Sequence, residues 1–381
     1  MTLLSIVGDD ISRIVPLLYA YKDEIQQHVL LCDDDPANYE RAKILQKGMQ
    51  RFSAKHSLGW YTKIITTNED SAESINKTAQ KAFDMKGELW LNATDGYPSL
   101  TILLSELVRK EGGRILSYDH FDNDLHIIKP DGSMKSKQLK SNMDIESYMI
   151  LLDYKIISKT KRKYLVARKE SVLQLFKKER NFKKVRKALV REELGHSINL
   201  KKQHFSEIMK SLKKLGIVNK NGMLKKDEVK TIQGDLFEEY VYWLCDGVGF
   251  DDMVLSAVID YDQQAKEPFI QRRVINEFDI LAMHKNRLYV IECKFSSKLN
   301  GTELIYKYET IINYFGRAAK AMVFNISKGE MKPYLDTNTS KNFGHSALRR
   351  ARMSGIGIYH ETHVDVIKFQ NYVRNFFKLG Q

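Results

Sequence analysis

Apolar positions in the first 120 residues follow two alternating periods. LLSIVG (3–8), QHVLLCD (27–33), YTKIITT (61–67), ELWLNAT (88–94) and GRILSYD (113–119) are short runs of β type. Between them, ISRIVPLLYAYKDEI, NYERAKILQKGMQRF, SAESINKTAQKAFDMK and SLTILLSELVRKEG space their apolar residues as helices do. Strands alternating with helices of this length predict parallel βαβ units in a doubly wound sheet. LSYDHFDNDLHIIKPDG then predicts an antiparallel hairpin at the sheet edge.

The period shifts after about residue 155. KKVRKALVREELG and HFSEIMKSLKKLGIVNKNGML predict two or three short helices and a turn, a winged-helix-like pattern with Leu212, Leu215, Ile217 and Val218 as its small core. From about 231, GDLFEEYVYWLCD predicts a helix with Phe237, Tyr240, Val241, Leu244 and Cys245 on one apolar face. EFDILAMHKNRLYVIECKF predicts a hairpin after it. The expected organisation is an α/β unit at 1–155, a basic helical connector at 156–230 and a second α/β unit at 231–381.

Charge sharpens this division. The chain carries a formal +13, but residues 155–230 alone hold 24 Lys and Arg against 7 Asp and Glu, a net +17. So basic a segment either meets a polyanion, most often nucleic acid, or is a solvated helical linker. With 43% hydrophobic and 29% charged residues, the composition is that of a globular chain. No apolar run approaches the ~18 residues a membrane span needs, and MTLLSIVGDD lacks the basic start of a signal peptide. Cys32, Cys245 and Cys293 are odd in number and far apart. They suggest a reducing cytoplasm and neither a disulfide framework nor a zinc cluster.

In a doubly wound sheet, ligands sit beyond the carboxyl ends of the strands where the strand order reverses. Two loops qualify here: Gly8, Asp9, Asp10 and Ile11 after the first strand, and Asn92, Thr94, Asp95, Gly96 and Tyr97 after ELWL. The second leads into a helix whose N-terminal amides can hold phosphate. The plainer alternative is a strand-to-helix turn capped by Thr94 or Asp95. There is no GxGxxG and no P-loop.

The hairpin poses a sharper question. With Lys285 and Asn286 as a two-residue turn, Leu281 faces Val290, Met283 faces Leu288, and Asp279 faces Glu292. Glu277 then lies opposite Lys294, and each strand is apolar on both faces, as buried strands are. Like charges directly opposite each other destabilise a sheet. A divalent cation between Asp279 and Glu292 would turn the repulsion into attraction, and all-oxygen ligation suits Mg²⁺ or Mn²⁺. Lys294 could then steady the charge that builds on a phosphorus centre. Glu238, at the start of the preceding helix, can reach the same point; alternatively Asp235 and Glu238 form a capping box.

Gly234…Glu238, Asp279 and Glu292-Cys293-Lys294 together resemble the PD-(D/E)xK nucleases. The whole chain resembles the CARF-domain (CRISPR-associated Rossmann fold) effector nucleases of type III CRISPR systems. Asn92-Ala93-Thr94-Asp95-Gly96 is similar to the CARF loop, Pro16 fits the early helix, and MDIESYMILLDYKI resembles the helix closing the sensor domain. The resemblance implies a Rossmann-like sensor, a connector and a restriction-endonuclease-like α/β domain. It further implies a homodimer that binds a cyclic oligoadenylate, commonly cyclic tetra-adenylate, and cuts DNA or RNA with Mn²⁺ or Mg²⁺; with the cysteines and the lack of a long apolar run, the expected place is the cytoplasm, with no membrane partner. Glu238, Asp279 and Glu292 would hold the metal, and Lys294 would assist. Arg349, Arg350 and Arg352 are candidate contacts to the nucleic-acid backbone, or a solvated helix face. Asp95 stands where the CARF loop usually has glycine, and Tyr97-Pro98-Ser99 where Thr-Lys is common. On sequence alone, a phosphate site thereby loses a cation and gains an anion. Two rivals stay open: a nuclease that needs no nucleotide, and a ligand-responsive DNA-binding regulator with a vestigial nuclease core.

Overall fold

The structure is a computed structural model. It describes residues 1–68, 70–84, 87–176, 206–218, 231, 234–260, 275–295, 300–326, 345–361 and 364–379.

The first sheet is built from β1 (Thr2–Ile6), β2 (Gln27–Asp33), β3 (Tyr61–Thr67), β4 (Leu89–Asn92), β5 (Arg114–Asp119), β6 (Asp124–Ile128) and β7 (Met134–Gln138). Its order is β3-β2-β1-β4-β5-β6-β7. The first five strands are parallel, and β6 and β7 add antiparallel at the edge. Helices α1 (Val15–Ala20), α2 (Pro36–His56), α3 (Ala72–Phe83) and α4 (Pro98–Lys110) make the crossovers. Local chemistry starts them. Asp35 caps α2 ahead of Pro36, Ser71 caps α3, and Pro98 opens α4. The strand order reverses between β1 and β4, so the loops that follow these two strands meet at the reversal.

After α5 (Ile145–Leu151) the chain enters a second sheet at β8 (Lys155–Ser158). α6 (Arg162–Phe176), α7 (Ser206–Lys214) and α8 (Asp235–Cys245) come next. β9 (Asp252–Asp260), β10 (Ile275–His284) and β11 (Arg287–Lys294) form an antiparallel meander. α9 (Gly301–Tyr314), β12 (Lys320–Ile326), α10 (His345–Met353), β13 (Gly357–Glu361) and α11 (Val366–Phe377) complete the order β13-β12-β11-β10-β9-β8. Much of the predicted winged-helix-like segment lies outside the described residues. Its Leu212 and Ile217 are buried in the second core beside Phe176 and Phe237.

One apolar cluster runs from the first sheet through Met143, Ile145 and Tyr148 to Phe278 and Leu281 of the second and to Phe315 at the end of α9. Buried polar contacts reinforce this junction. The Tyr148 hydroxyl donates to Phe315 O at 2.5 Å, and Met143 N donates to Asn286 Oδ1 at 3.0 Å. Asn286 Nδ2 donates to Asn123 Oδ1 at 3.1 Å. The turn of the β10–β11 hairpin is therefore seated in the first-sheet half. No helix among the described residues is long and apolar enough to cross a membrane.

Candidate active site and the paired loops

The hairpin has the register its sequence predicts. Ile280 pairs with Ile291, Leu281 with Val290, and Met283 with Leu288. Lys285 (φ 48°) and Asn286 (φ 59°) are both left-handed, the conformation of a type I′ turn, whose twist matches that of the flanking strands. Residues 278–283 and 287–293 are buried, as strands covered on both faces should be.

Beyond Ile280 the regular pairing gives way. Asp279 Oδ2 accepts the Cys293 N–H at 2.7 Å, so a side chain takes a donor that the sheet would otherwise use. On the other flank, Ser256 of β9 stands opposite Asp279 with φ 51°, rare for a residue that is not glycine. The apolar alternation slips at the same place. Ile280 and Ala282 pack in one core, yet Phe278 packs with Leu281 and Met283 in the other. Leu255 and Ala257 divide in the same way on β9. The strict alternation that would put Glu277 and Asp279 on one face is thus interrupted, and Glu277 is exposed while Asp279 is buried.

Asp279 and Glu292 are 9% and 3% exposed. Lys294 joins them, with Nζ 3.8 Å from Asp279 Oδ2 and in contact with Glu292 Oε1. Tyr308, inside α9, donates its hydroxyl to Glu292 Oε2. Burial, then the negative Glu292 and Glu238, hold the Asp279 carboxyl well above its ordinary range. Burial works against the Lys294 ammonium, but Asp279 and Glu292 outweigh it and raise its pKa. Glu238 is pushed up to about 7 by burial and by Asp235, with Glu277 and Glu292 adding to the effect and Lys294 opposing it. The capping-box alternative is not realised: Gly234 is the N-cap of α8, and no side chain caps it. Among the described residues, no three His, Cys, Asp or Glu side chains converge as a ready metal shell. The ammonium of Lys294 partners the carboxylates instead.

The two loops at the strand-order reversal lock into each other. Asp95 Oδ2 accepts from Gly8 N at 2.8 Å and from Asp10 N at 3.4 Å. The anion that seemed to oppose a phosphate ligand is buried and turned onto the first loop. Thr94 Oγ1 accepts from Tyr118 N at 3.0 Å, Asn92 Oδ1 accepts from Thr94 N at 3.1 Å, and the α4 N-cap is Tyr97. Neither Thr94 nor Asp95 is the helix cap. The backbones approach so closely that a Cβ on Gly8 would lie 2.8 Å from the Gly96 backbone. Asp10 is buried; it accepts from Ser12 N at 3.1 Å and from Arg317 N, in the turn after α9, at 2.9 Å. Asp9 and Ile11 are more open, and Asp9 lies 3.5 Å from Arg317 Nη2 and 3.7 Å from Arg41 Nη1. A cavity of about 560 Å³ opens beside these loops, lined by Asp10, Arg13, His120, His126 and Arg317.

The three arginines of α10 separate in role. Arg350 is ion-paired with Glu309 and lies over the Tyr306 ring at 3.7 Å, whereas Arg349 and Arg352 are exposed. Sequence reasoning missed Tyr308 and Arg317. Tyr308 reads as one more apolar position on a buried helix face, and Arg317 as an ordinary turn residue.

Residues 225–331, which contain Glu238, Asp279, Glu292 and Lys294, match the family model of the Card1-like endonuclease domain. The chain therefore carries an endonuclease domain of Card1-like type. Two solved structures share its fold along nearly the entire length. Protein VC1899 from Vibrio cholerae gives a TM-score of 0.71 at 16% identity, covering 99% of this chain and 97% of its own. Can2 from Sulfobacillus thermosulfidooxidans, solved in complex with cyclic tetra-adenylate, gives 0.69 at 17% identity, with 99% of each chain covered. A search among curated proteins finds no match. The resemblance to the CARF-domain effector nucleases is borne out by the domain match and the shared fold.

Proposed function

We propose that this protein is a divalent-metal-dependent endonuclease of the PD-(D/E)xK type, gated by a cyclic oligoadenylate and acting as a homodimer in type III CRISPR antiviral defence. The observation that carries the catalytic reading is the buried Asp279–Glu292 pair with Lys294, placed where the β10–β11 pairing breaks inside the endonuclease segment. The activator reading is supported by likeness of fold to Can2, a protein solved with cyclic tetra-adenylate. Residues 1–155 would sense the ring, and residues 231–381 would cut.

The residues fit a hard cation. Asp279 is buried, and burial together with the negative charges of Glu292 and Glu238 holds it above its ordinary pKa range, a repulsion that a divalent ion would relieve. Asp279, Glu292 and Glu238 would hold Mn²⁺ or Mg²⁺. Bound there, such an ion would supply Lewis-acid polarisation of the scissile phosphate and a lower pKa for the attacking water. The protein's own groups do the rest. Tyr308 fixes Glu292 through its hydroxyl. Lys294 keeps its proton and would offset the negative charge that develops on the phosphoryl oxygens as water attacks and the strand's P–O bond breaks. The attacking water gives up its proton to solvent, and the leaving oxygen takes a proton from solvent. The exposed Arg349 and Arg352 would meet the backbone of DNA or RNA.

The loops of Gly8–Ile11 and Asn92–Tyr97 would receive the ring. Symmetry would double each contact across a two-fold dimer. Binding shifts activity only as far as the ring prefers one arrangement of the subunits over another. The test is cleavage by purified Glu292→Ala and Lys294→Ala proteins. Both should lose cutting while dimerisation and ring binding persist; cleavage by both variants would overturn the assignment.

A further inference from the structure

A second cavity, of about 220 Å³, lies at the junction of the two halves, beside the hairpin turn and away from the catalytic carboxylates. Arg287, the first residue of β11, lines it and is 5% exposed. Two of its nitrogens, Nε and Nη2, find no hydrogen-bond partner. Arginine stays charged at any pH a protein meets, so a buried guanidinium needs an anion or a full set of acceptors.

Arg287 has neither among the described residues. The Tyr289 hydroxyl takes one hydrogen bond from it, and the Phe121 ring lies 5.1 Å from it, a partial compensation for a cation. Asp122 and Asp124 also line the cavity, but neither accepts a hydrogen bond from Arg287 Nε or Nη2.

Two further groups point the same way. His120 lines the cavity at 8% exposure, and its Nε2 also lacks a partner. Burial first, then Arg13, lowers its pKa to about 4, so near neutral pH the ring is uncharged and can offer one N–H. Lys378 lines the cavity from the C-cap of α11, in the left-handed conformation (φ 56°) that glycine usually fills. Of the charged residues that line the cavity, Lys285, Arg287 and Lys378 outnumber Asp122 and Asp124.

We propose that this cavity is a binding site for a small phosphate-type oxyanion, held by Arg287 with His120 and Lys378. The guanidinium fork matches phosphate oxygens. The volume lies below the about 300–1,000 Å³ of ordinary small-molecule pockets, so it admits an oxyanion and excludes an oligonucleotide. The anion comes either as free phosphate or as the terminal phosphate of a mononucleotide. Because Arg287 follows the turn seated on Asn123 and Met143, its occupant would brace the hairpin that carries Asp279 and Glu292. The site does not depend on the metal or activator readings.

The test is thermal unfolding of the full chain, without metal or cyclic nucleotide, titrated with sodium phosphate, with AMP, and with sodium chloride at matched ionic strength. Phosphate should raise Tm saturably and chloride should not. A response to phosphate and AMP alike that is lost in Arg287→Met assigns the site to the ion itself; a response to AMP alone that is lost in Arg287→Met assigns it to the nucleotide. Arg287→Met should lose the response and, without ligand, unfold no lower than the parent protein. His120→Phe keeps the ring packing against Tyr118 and should weaken apparent binding roughly fivefold, the worth of about one net hydrogen bond. No saturable shift with either ligand, or an undiminished shift in Arg287→Met, overturns the proposal. If Arg287→Met does not fold, unchanged binding in His120→Phe overturns it instead.

Discussion

Tyr308 donates its hydroxyl to Glu292 Oε2 from the buried face of α9, so a helix that follows the hairpin fixes a carboxylate on it. Groups that orient a metal ligand in this way typically contribute about 10–100-fold in metal affinity or activity. Tyr308→Phe should therefore raise the Mn²⁺ concentration needed for half-maximal cleavage by roughly that factor, with much of the rate recovered at saturating Mn²⁺. An unchanged Mn²⁺ requirement would remove Tyr308 from the site.

Asp279→Asn should separate stability from activity. The native carboxyl sits above its unfolded pKa, so its contribution to stability is full at low pH and is lost as pH rises through the native value. Above the native value its charge works against the fold. Asparagine should raise Tm by a few degrees in EDTA, abolish cleavage, and lose the stabilisation that Mn²⁺ gives the parent protein. A lower Tm in EDTA would contradict this reading of the buried pair.

Glu238 sets a pH dependence. Burial and Asp235 lift its pKa to about 7, so below that value the residue is protonated and a poor ligand. Mn²⁺ binding, followed by calorimetry, should tighten as pH rises through about 7. Glu238→Gln should flatten the profile.

The paired loops tolerate no side chain where they touch. A Cβ on Gly96 (φ 105°) would lie 2.2 Å from Ile6 Cγ2, and one on Gly8 would meet the Gly96 backbone. Gly8→Ala should destabilise the protein by about 1–3 kcal/mol and weaken cyclic tetra-adenylate binding, while Mn²⁺ affinity at the carboxylates stays unchanged. Equal losses at both sites would mean that the loops do not serve the ring specifically.

Local pattern made much of this legible. The βαβ periodicity predicts the parallel sheet, and a two-residue turn at Lys285 and Asn286 predicts the hairpin register, which alone places Asp279 near Glu292. What escaped depends on partners distant in sequence. Lys155–Ser158 is a four-residue strand whose partner, β9, begins at Asp252. Asp95 reads as a charge in a ligand loop because its acceptor role toward Gly8 spans 87 residues. The slip of alternation at Asp279 needs Ser256 opposite it, and neither strand announces it alone.

The most direct measurement is cleavage of supercoiled DNA, single-stranded DNA and RNA in Mn²⁺, with and without cyclic tetra-adenylate. The account predicts cutting of at least one substrate only when the ring is present, and none by the Glu292→Ala protein. Cutting that is equally fast without any ring would contradict the gated nuclease and leave the loops of the first sheet without that role.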